Sequence, residues 1–451
     1  MWNSLAENVT NPNELWAFSY GSQSYDLKDA TFTDEKYTFA GWYLNYENGT
    51  YSELVTKLDE NTALGSDSIT LYAKWTITTE KTSSGATVRE VQVENLTNEI
   101  LNLNSEDEFF ILVTSESVCA ENIRSVNAAL KTSSLASFVL DFSGVKEDFV
   151  LEDADAENPT NSFYNCTNLT GIILPSSCTG FTSIGKNAFY KTNLYSIVIP
   201  KTVTNFCESA FESRNSATGS VYSVYYKGSL NNWMTKLTFA DRYSNPLYGD
   251  LYVTTGSDEN YEKVTELTIS NTSGITKIKP YTFSGCKSLD SVKLSSSINT
   301  VGDFAFSYSG IKSFSGTSVK ELGIATFNAC TSLSSVEIGG SIKELKNSLF
   351  NMCYSLREFE IPASVTKIDD YAFSASAIST ITIPSSVISI GKGAFRSPYP
   401  VSQVIITTSG WYVTKTKDSA TGTNINLSIS SYERAKLLSD TYVEYYWYRS
   451  N

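Results

Sequence analysis

The chain contains no histidine in its 451 residues. Histidine is the usual general base near neutral pH and the commonest metal ligand. Serine-protease, papain-type, zincin and zinc-finger chemistry therefore each lack a required part, while carboxylate, lysine or tyrosine chemistry stays formally open. Cations are also scarce, with 34 Lys and Arg against 48 Asp and Glu, a net charge of −14 and a pI near 4.7. Binding a nucleic-acid backbone needs a basic patch, so no nucleic-acid partner is expected. Acidity of this size keeps a large surface soluble. The seven cysteines cannot all pair within one chain, and none form a CxxC, which disfavours a zinc site or a redox dithiol. No apolar run approaches the roughly 18 residues of a spanning helix. MWNSLAENVT lacks a charged segment followed by an apolar one, so an exported chain would carry its signal and any anchor outside this sequence.

What the chain does have is core-forming material and repetition. Hydrophobic residues make up 41% and aromatics 13%, which describes a folded chain, and the length exceeds one ordinary core. From Ile278 the sequence runs IKPYTFSGCKSLDSVKLSSSI, VGDFAFSYSGIKSFSGTSV, LGIATFNACTSLSSVEIGGSI, LKNSLFNMCYSLREFEIPASV, IDDYAFSASAISTITIPSSV and IGKGAFRSPYPVSQVIITTSG. Phe283, Phe306, Phe327, Phe350, Phe373 and Phe395 anchor these units, a period of 21 to 23 residues. More degenerate units are anchored at Phe163, Phe189 and Phe211. Each unit ends in L-x-x-I-x-I, whose alternation predicts a short strand with one buried face, often stopped by proline as at Pro175, Pro200, Pro362 and Pro384. The step to the anchor is too short for a stable helix, so a single helical or 3₁₀ turn is predicted there. Stacked coils bury what one coil cannot. The anchor and four aliphatics of a coil contribute ~7–15 kcal/mol before entropy, at ~1.5–3 kcal/mol per large side chain.

The cysteines follow the same register. Cys286, Cys330 and Cys353 lie three residues after their anchors, in coils with six residues from Phe to the strand's first Leu. The coils at Phe189, Phe306 and Phe373 lack the cysteine and take five. Cysteine is thus predicted to fill the wider turn as a small buried hydrophobe. A bridge between Cys330 and Cys353, on adjacent coils, is the alternative.

IGKNAF, SGCKSL and FEIPASVTKIDDYAF resemble the BspA-type leucine-rich repeats of bacterial surface proteins, over about residues 155–406. The resemblance implies a strand-rich, right-handed repeat solenoid with short helical or 3₁₀ turns on its convex side. It also implies an extracellular or cell-surface location, and adhesion to host proteins, host cells or other microbes. The repeat breaks off after Phe211, and an aromatic island at 212–268 intervenes. Its Tyr225, Tyr226 and Trp233 suit contact with a protein or a sugar, or packing of the island onto the solenoid.

Residues 1–76 hold KYTFAGWYLN and SITLYAKWT. GWY…LYAKW resembles the closing half of the B-repeat of internalins and related surface proteins, which implies a small β-grasp-like module with Trp42, Tyr43, Tyr72 and Trp75 in its core. No opening strand is evident in residues 1–30. Residues 77–87 read as a Ser/Thr-rich linker. Residues 88–154 read as a strand, helix and strand capping the first coil, with Ile123, Val126 and Leu130 on one helix face. Residues 407–451, with a short helix and an aromatic strand, read as the closing cap.

In L-x-x-I-x-I the x positions point outward. Their last column is Val198, Lys293, Ser315, Glu337, Glu360, Thr382 and Ile405. Beside it run Asp290, Lys312, Ser334, Arg357, Ser379 and Ser402, then Ser291, Ser313, Ser335, Glu358, Thr380 and Gln403. The candidate partner-binding residues are therefore Lys293, Glu337, Arg357, Glu358 and Glu360, with Tyr225, Tyr226 and Trp233 from the island. A glycosidase reading of the glutamates lacks the pocket that would raise one carboxyl. No catalytic residue, metal or cofactor is expected. An adhesin-like protein binding host or microbial proteins is the expectation; a glycan-binding surface protein and a ligand-free spacer are the alternatives.

Overall fold

A computed structural model describes residues 89–450 apart from 104–107, 134–136, 213–220, 256–259, 272 and 398–400, with Glu108 and Phe109 as backbone only. Between residues 15 and 77 it describes six strands, also as backbone. Four of these form an antiparallel sheet in the order Leu15–Ser19, Ser68–Ile77, Tyr37–Glu47, Thr50–Val55. Its central pair holds the GWY and LYAKW motifs, with Tyr43 opposite Tyr72. Leu15–Ser19 lies in the stretch where the sequence showed no opening strand. The core roles expected of Trp42, Tyr43, Tyr72 and Trp75, and the linker beyond residue 77, fall outside the described residues.

From Arg89 the chain adds one parallel strand per coil, in chain order. Arg89–Val91, Glu108–Val113, Ser137–Asp141, Leu169–Ile173, Ser196–Pro200, Val221–Lys227 and Leu247–Thr254 form one sheet, edged by antiparallel Tyr261–Lys263. A second sheet holds Glu266–Thr268, Ser291–Lys293, Ser313–Gly316 and Ser335–Ile338, and a third pairs Thr380–Ile383 with Gln403–Ile406. The apolar residue that starts each unit sits on a second ladder of two-residue strands. Lys277–Ile278, Thr300–Val301 and Glu321–Leu322 make one stretch of it; Glu344–Leu345, Lys367–Ile368 and Ser389–Ile390 make another. One continuous hydrophobic core, from Val93 to Trp447, runs through all these coils, as stacking of units that cannot fold singly requires.

The anchor phenylalanines form a column inside that core. Successive rings stack with centroids 5.6 Å (Phe283–Phe306), 5.9 Å (Phe306–Phe327), 5.4 Å (Phe327–Phe350), 5.4 Å (Phe350–Phe373) and 5.3 Å (Phe373–Phe395) apart. The short helical or 3₁₀ turn expected around them is replaced by paired tight turns. Residues two before and two after the anchor have positive φ, as at Phe304 and Tyr308, Ala325 and Ala329, or Tyr371 and Ala375. The alternation of hand aims every second N–H at the next coil. The Phe283 N–H donates to the Ala305 carbonyl at 2.8 Å and the Phe350 N–H to the Ala372 carbonyl at 2.7 Å. A helical turn would have spent these donors within its own coil; here they form a third line of inter-coil bonds.

The island continues the stack from the preceding coil, although both ladders break between it and the Phe283 coil. Val221–Lys227 and Leu247–Thr254 continue the parallel ladder from Ser196–Pro200. Helix Leu230–Lys236 places Trp233 under Tyr226 and Phe239, and its indole N–H donates to the Thr282 carbonyl at 2.8 Å. The island thereby docks onto the Phe283 coil. Residues 88–154 supply the first strands of the same sheet. Helix Ala120–Thr132 buries Ile123, Val126 and Leu130, as its period predicted, and packs beside an unforeseen helix, Val93–Asn102, with Val93, Leu96 and Ile100 inward. At the far end Tyr446–Arg449 runs antiparallel to Ser389–Ile390 and Trp411–Thr414, with Trp411 and Trp447 buried. An antiparallel strand there ends the coil progression.

The thiol readings resolve in the same way. All seven cysteines are free. Cys286, Cys330 and Cys353 are buried, and Cys166 occupies the same station after Phe163. The Cys330 thiol donates to the Phe306 carbonyl at 3.0 Å and the Cys353 thiol to the Phe327 carbonyl at 3.2 Å. Burial pushes Cys330 up to about 12, so these groups stay neutral and unreactive.

Candidate functional site

The candidate site is the outward face of the sheets. Ladder register sets its columns. Thr268, Lys293, Ser315 and Glu337 are paired in sequence, as are Thr382 and Ile405. Lys293, Glu337, Arg357, Glu358 and Glu360 are all exposed. Glu337 accepts a hydrogen bond from the Ser315 hydroxyl at 2.7 Å, and in the adjacent column Lys312 pairs with Asp290 at 2.9 Å. Glu360 departs from the expected register, because residues 357–360 form no strand. Exposed carboxylates on an open sheet offer hydrogen bonding and charge to a partner; they lack the desolvated acid a glycosidase needs. Among the described residues no group of carboxylates and thiols could hold a metal ion, and no helix is long and apolar enough to cross a membrane.

The island aromatics require a correction. Trp233 and Tyr226 are 0% exposed and Tyr225 is 4% exposed, so none of the three presents a ring to a ligand. Trp233 and Tyr226 point into the core, because strand and helix of the island close over the Phe283 coil. Burial pushes the Tyr226 phenol up to about 12. Tyr225 points to the outer face, but stacks on Tyr252 at 4.6 Å and meets the edge of Tyr261 at 5.2 Å. Val198 joins it in a small buried cluster with Phe110 and Ile173.

Other tyrosines take the outward positions. VYSVYY at Val221 and LYGDLYV at Leu247 follow the L-x-x-I-x-I frame, the second with one extra residue where the register shifts. Their x positions carry Tyr222 and Tyr248, which are 49% and 44% exposed. Tyr195, one coil earlier, stacks on Tyr222 at 5.3 Å. Asp250 sits between the columns, ion-paired to Lys263 at 2.6 Å and accepting from the Tyr252 hydroxyl at 3.4 Å. Burial, then the Asp250 charge, pushes the Tyr252 phenol far up. The outward face is thus tyrosine-rich over the island and hydroxyl- and charge-rich beyond it. Aligning the two island strands with the repeat frame was the signal that would have found Tyr222 and Tyr248.

A family model described as a BspA type leucine rich repeat region matches six copies, over residues 117–218, 259–376 and 315–417. Solved structures similar to this chain include a leucine-rich repeat protein from Eubacterium ventriosum. It is 19% identical, with 68% of this chain and 93% of that one covered and a TM-score of 0.38. A leucine rich cell surface protein from Faecalibacterium prausnitzii is 18% identical over 86% of this chain and 96% of that one, with a TM-score of 0.33. The pneumococcal vaccine antigen PcpA is 14% identical over 71% and 72%, with a TM-score of 0.36. No curated protein matches the sequence. With its repeats matched over more than half of its residues, and those repeats stacked as a solenoid, the chain belongs to the BspA-type leucine-rich-repeat family.

Proposed function

We propose that the chain is a non-catalytic, adhesin-like protein that acts at a bacterial cell surface or outside the cell, and binds protein partners through the outward face of its sheets. The observation that carries this reading is the exposed column pair. Tyr222 and Tyr248 offer amphipathic rings, and the exposed Lys293, Glu337, Arg357, Glu358 and Glu360 offer charge. Tyrosine and arginine are the side chains that most often dominate protein interfaces, and charged rims set partner choice and encounter rate. Family membership supports the location.

The test is overlay of the full chain on a panel of immobilised extracellular-matrix proteins, with Tyr222→Ala/Tyr248→Ala and Glu337→Lys/Glu360→Lys variants beside it. Binding that both variants weaken supports the reading. No binding tighter than about 1 mM to any panel member would leave the spacer role in its place, and binding confined to a glycan array would transfer the face to carbohydrate recognition.

A further inference from the structure

Both β-ladders stop at one coil boundary. The second ladder ends with Glu321–Leu322 and restarts with Glu344–Leu345, and the outward sheet ends with Ser335–Ile338. Each gap lies between the coil anchored by Phe327 and the coil anchored by Phe350. At the preceding boundary the Lys320 N–H donates to the Asn299 carbonyl and the Gly323 N–H to the Val301 carbonyl. At the following one the Thr366 N–H donates to Lys343 and the Asp369 N–H to Leu345. Among the described residues no equivalent bond crosses from Lys343, Glu344 or Lys346 to the Phe327 coil. The sheet is also open beyond residues 357–360, where only the Ser379 N–H reaches Arg357, at 3.4 Å. Both ladders also break between the island and the Phe283 coil, where antiparallel Tyr261–Lys263 edges the sheet and the Val264 N–H donates to the Leu251 carbonyl. The Phe327–Phe350 boundary is the double break between two regular repeats.

The residues that would be paired there explain the failure. Extending the register places Glu344 opposite Glu321 and Glu360 opposite Glu337. Like charges directly opposite one another destabilise strand pairing. Glu321 and Glu344 both turn to lysines instead, Lys346 at 2.5 Å and Lys367 at 2.6 Å. Glu337 turns to Ser315, away from Glu360. The chain crosses the boundary through Gly339 and Gly340. Gly339 lies against the Thr317 carbonyl, but Gly340 has open space where a Cβ would sit. Val336 is only partly buried, whereas Val292 and Phe314, its counterparts in earlier coils, are buried.

Contacts do cross on the remaining side. The Phe327 and Phe350 rings stack, and the Ala325, Phe327 and Ala329 N–H groups donate to Asn347, Leu349 and Asn351. The Asn351 amide donates to Asn328 at 2.7 Å, and the Lys346–Glu321 pair adds one exposed tie.

We propose that this boundary is a hinge, held open along both ladders by the in-register glutamate pairs and swung about the stacked phenylalanine turn. Opening or closing it changes the angle between the tyrosine- and hydroxyl-bearing coils and the coils that carry Arg357, Glu358 and Glu360. A few small residues at an element's end are enough to absorb such a motion. The hinge is a property of the fold and stands whether or not the outward face has a partner.

Amide hydrogen exchange of the full chain, read by mass spectrometry, tests it. The amides of residues 343–346 and 357–360 are expected to exchange at least about tenfold faster than those of 320–323 and 366–369, while the Phe327 amide stays protected. Glu344→Gln together with Glu360→Gln is expected to slow them toward their neighbours. The same slowing is expected of the unaltered chain in about 1 M salt, where the screening length of roughly 3 Å falls below the ~4.8 Å strand spacing, so the test holds even where the variant fails to fold. Protection equal to that of the neighbouring coils, or fast exchange indifferent to both treatments, would overturn the hinge and its glutamate cause.

Discussion

Phe327 and Phe350 stack with ring planes 2° apart and centroids 5.4 Å apart, across a boundary between two regular repeats where both β-ladders are interrupted. Replacing Phe350 by Ala is therefore expected to do more than leave a cavity. The cavity alone costs about 3–5 kcal/mol, and the coils on either side lose their main tie. Urea unfolding followed by tryptophan fluorescence should show a lowered midpoint and a broadened or divided transition. A midpoint equal to that of the unaltered chain would contradict the phenylalanine column as the source of stability.

The turn around each anchor makes a second, signed prediction. Ala375 has φ of 54°, a conformation that costs an L-residue roughly 1–2 kcal/mol. Glycine removes that strain but adds about 0.5–1 kcal/mol of unfolded-state entropy. Ala375→Gly should thus be neutral or stabilising by up to about 1 kcal/mol. Three residues away, Ala372 is buried and not among the left-handed residues, so Ala372→Gly should destabilise by ~0.5–1 kcal/mol or more. Equal denaturant midpoints for the two variants would remove the left-handed turn from the account.

Adjacent coils are also clasped by an aspartate and a glycine. The Asp370 carboxylate accepts the Lys392 N–H at 2.9 Å, and a Cβ on Gly391 would come within 2.4 Å of the Asp370 N. Gly391→Ala cannot be accommodated without moving backbone, and a loss of about 1–3 kcal/mol is expected, as for overpacking a filled site. Asp303 and Gly323 repeat the arrangement. Gly340→Ala, where nothing lies within 4 Å, is the control, and a larger loss there than at Gly391 would refute the clasp.

Thiol chemistry offers a fourth check. Cys119 is exposed, whereas Cys166, Cys178, Cys286, Cys330 and Cys353 are buried. Alkylation of the native chain at pH 8 should mark Cys119 first and spare the buried five until denaturant is added. Burial raises Cys166 and Cys330 from 9.0 to about 12 and Cys286 to about 11. Above pH 9.0 the unfolded chain loses thiol protons that the folded chain keeps, so the unfolded state binds fewer protons and stability falls with rising pH. The stabilisation is complete below 9.0 and is lost toward about 12. A Cys330→Ala chain should show a shallower alkaline decline in its urea midpoint; an unchanged slope would rule out a thiol contribution.

The sequence by itself determined the repeat, its anchors, the faces of its strands and the helix at Ala120–Thr132. Each of these depends on a local period, three to four residues for the helix, two for the strand and 21 to 23 for the coil, and a period is legible in one dimension. It also placed Lys293 and Glu337 on the outward face, because the alternation of their strands decides that. Tertiary structure decided the rest. Tyr222 is half exposed while Tyr225 and Tyr226 are buried, although all three lie within one strand, because burial depends on the coil packed above or below. The paired left-handed turns owe their existence to the next coil's carbonyls, which no single repeat contains. The open boundary likewise arises from Glu321 against Glu344 and Glu337 against Glu360, residues 23 apart in the chain that stacking brings opposite one another.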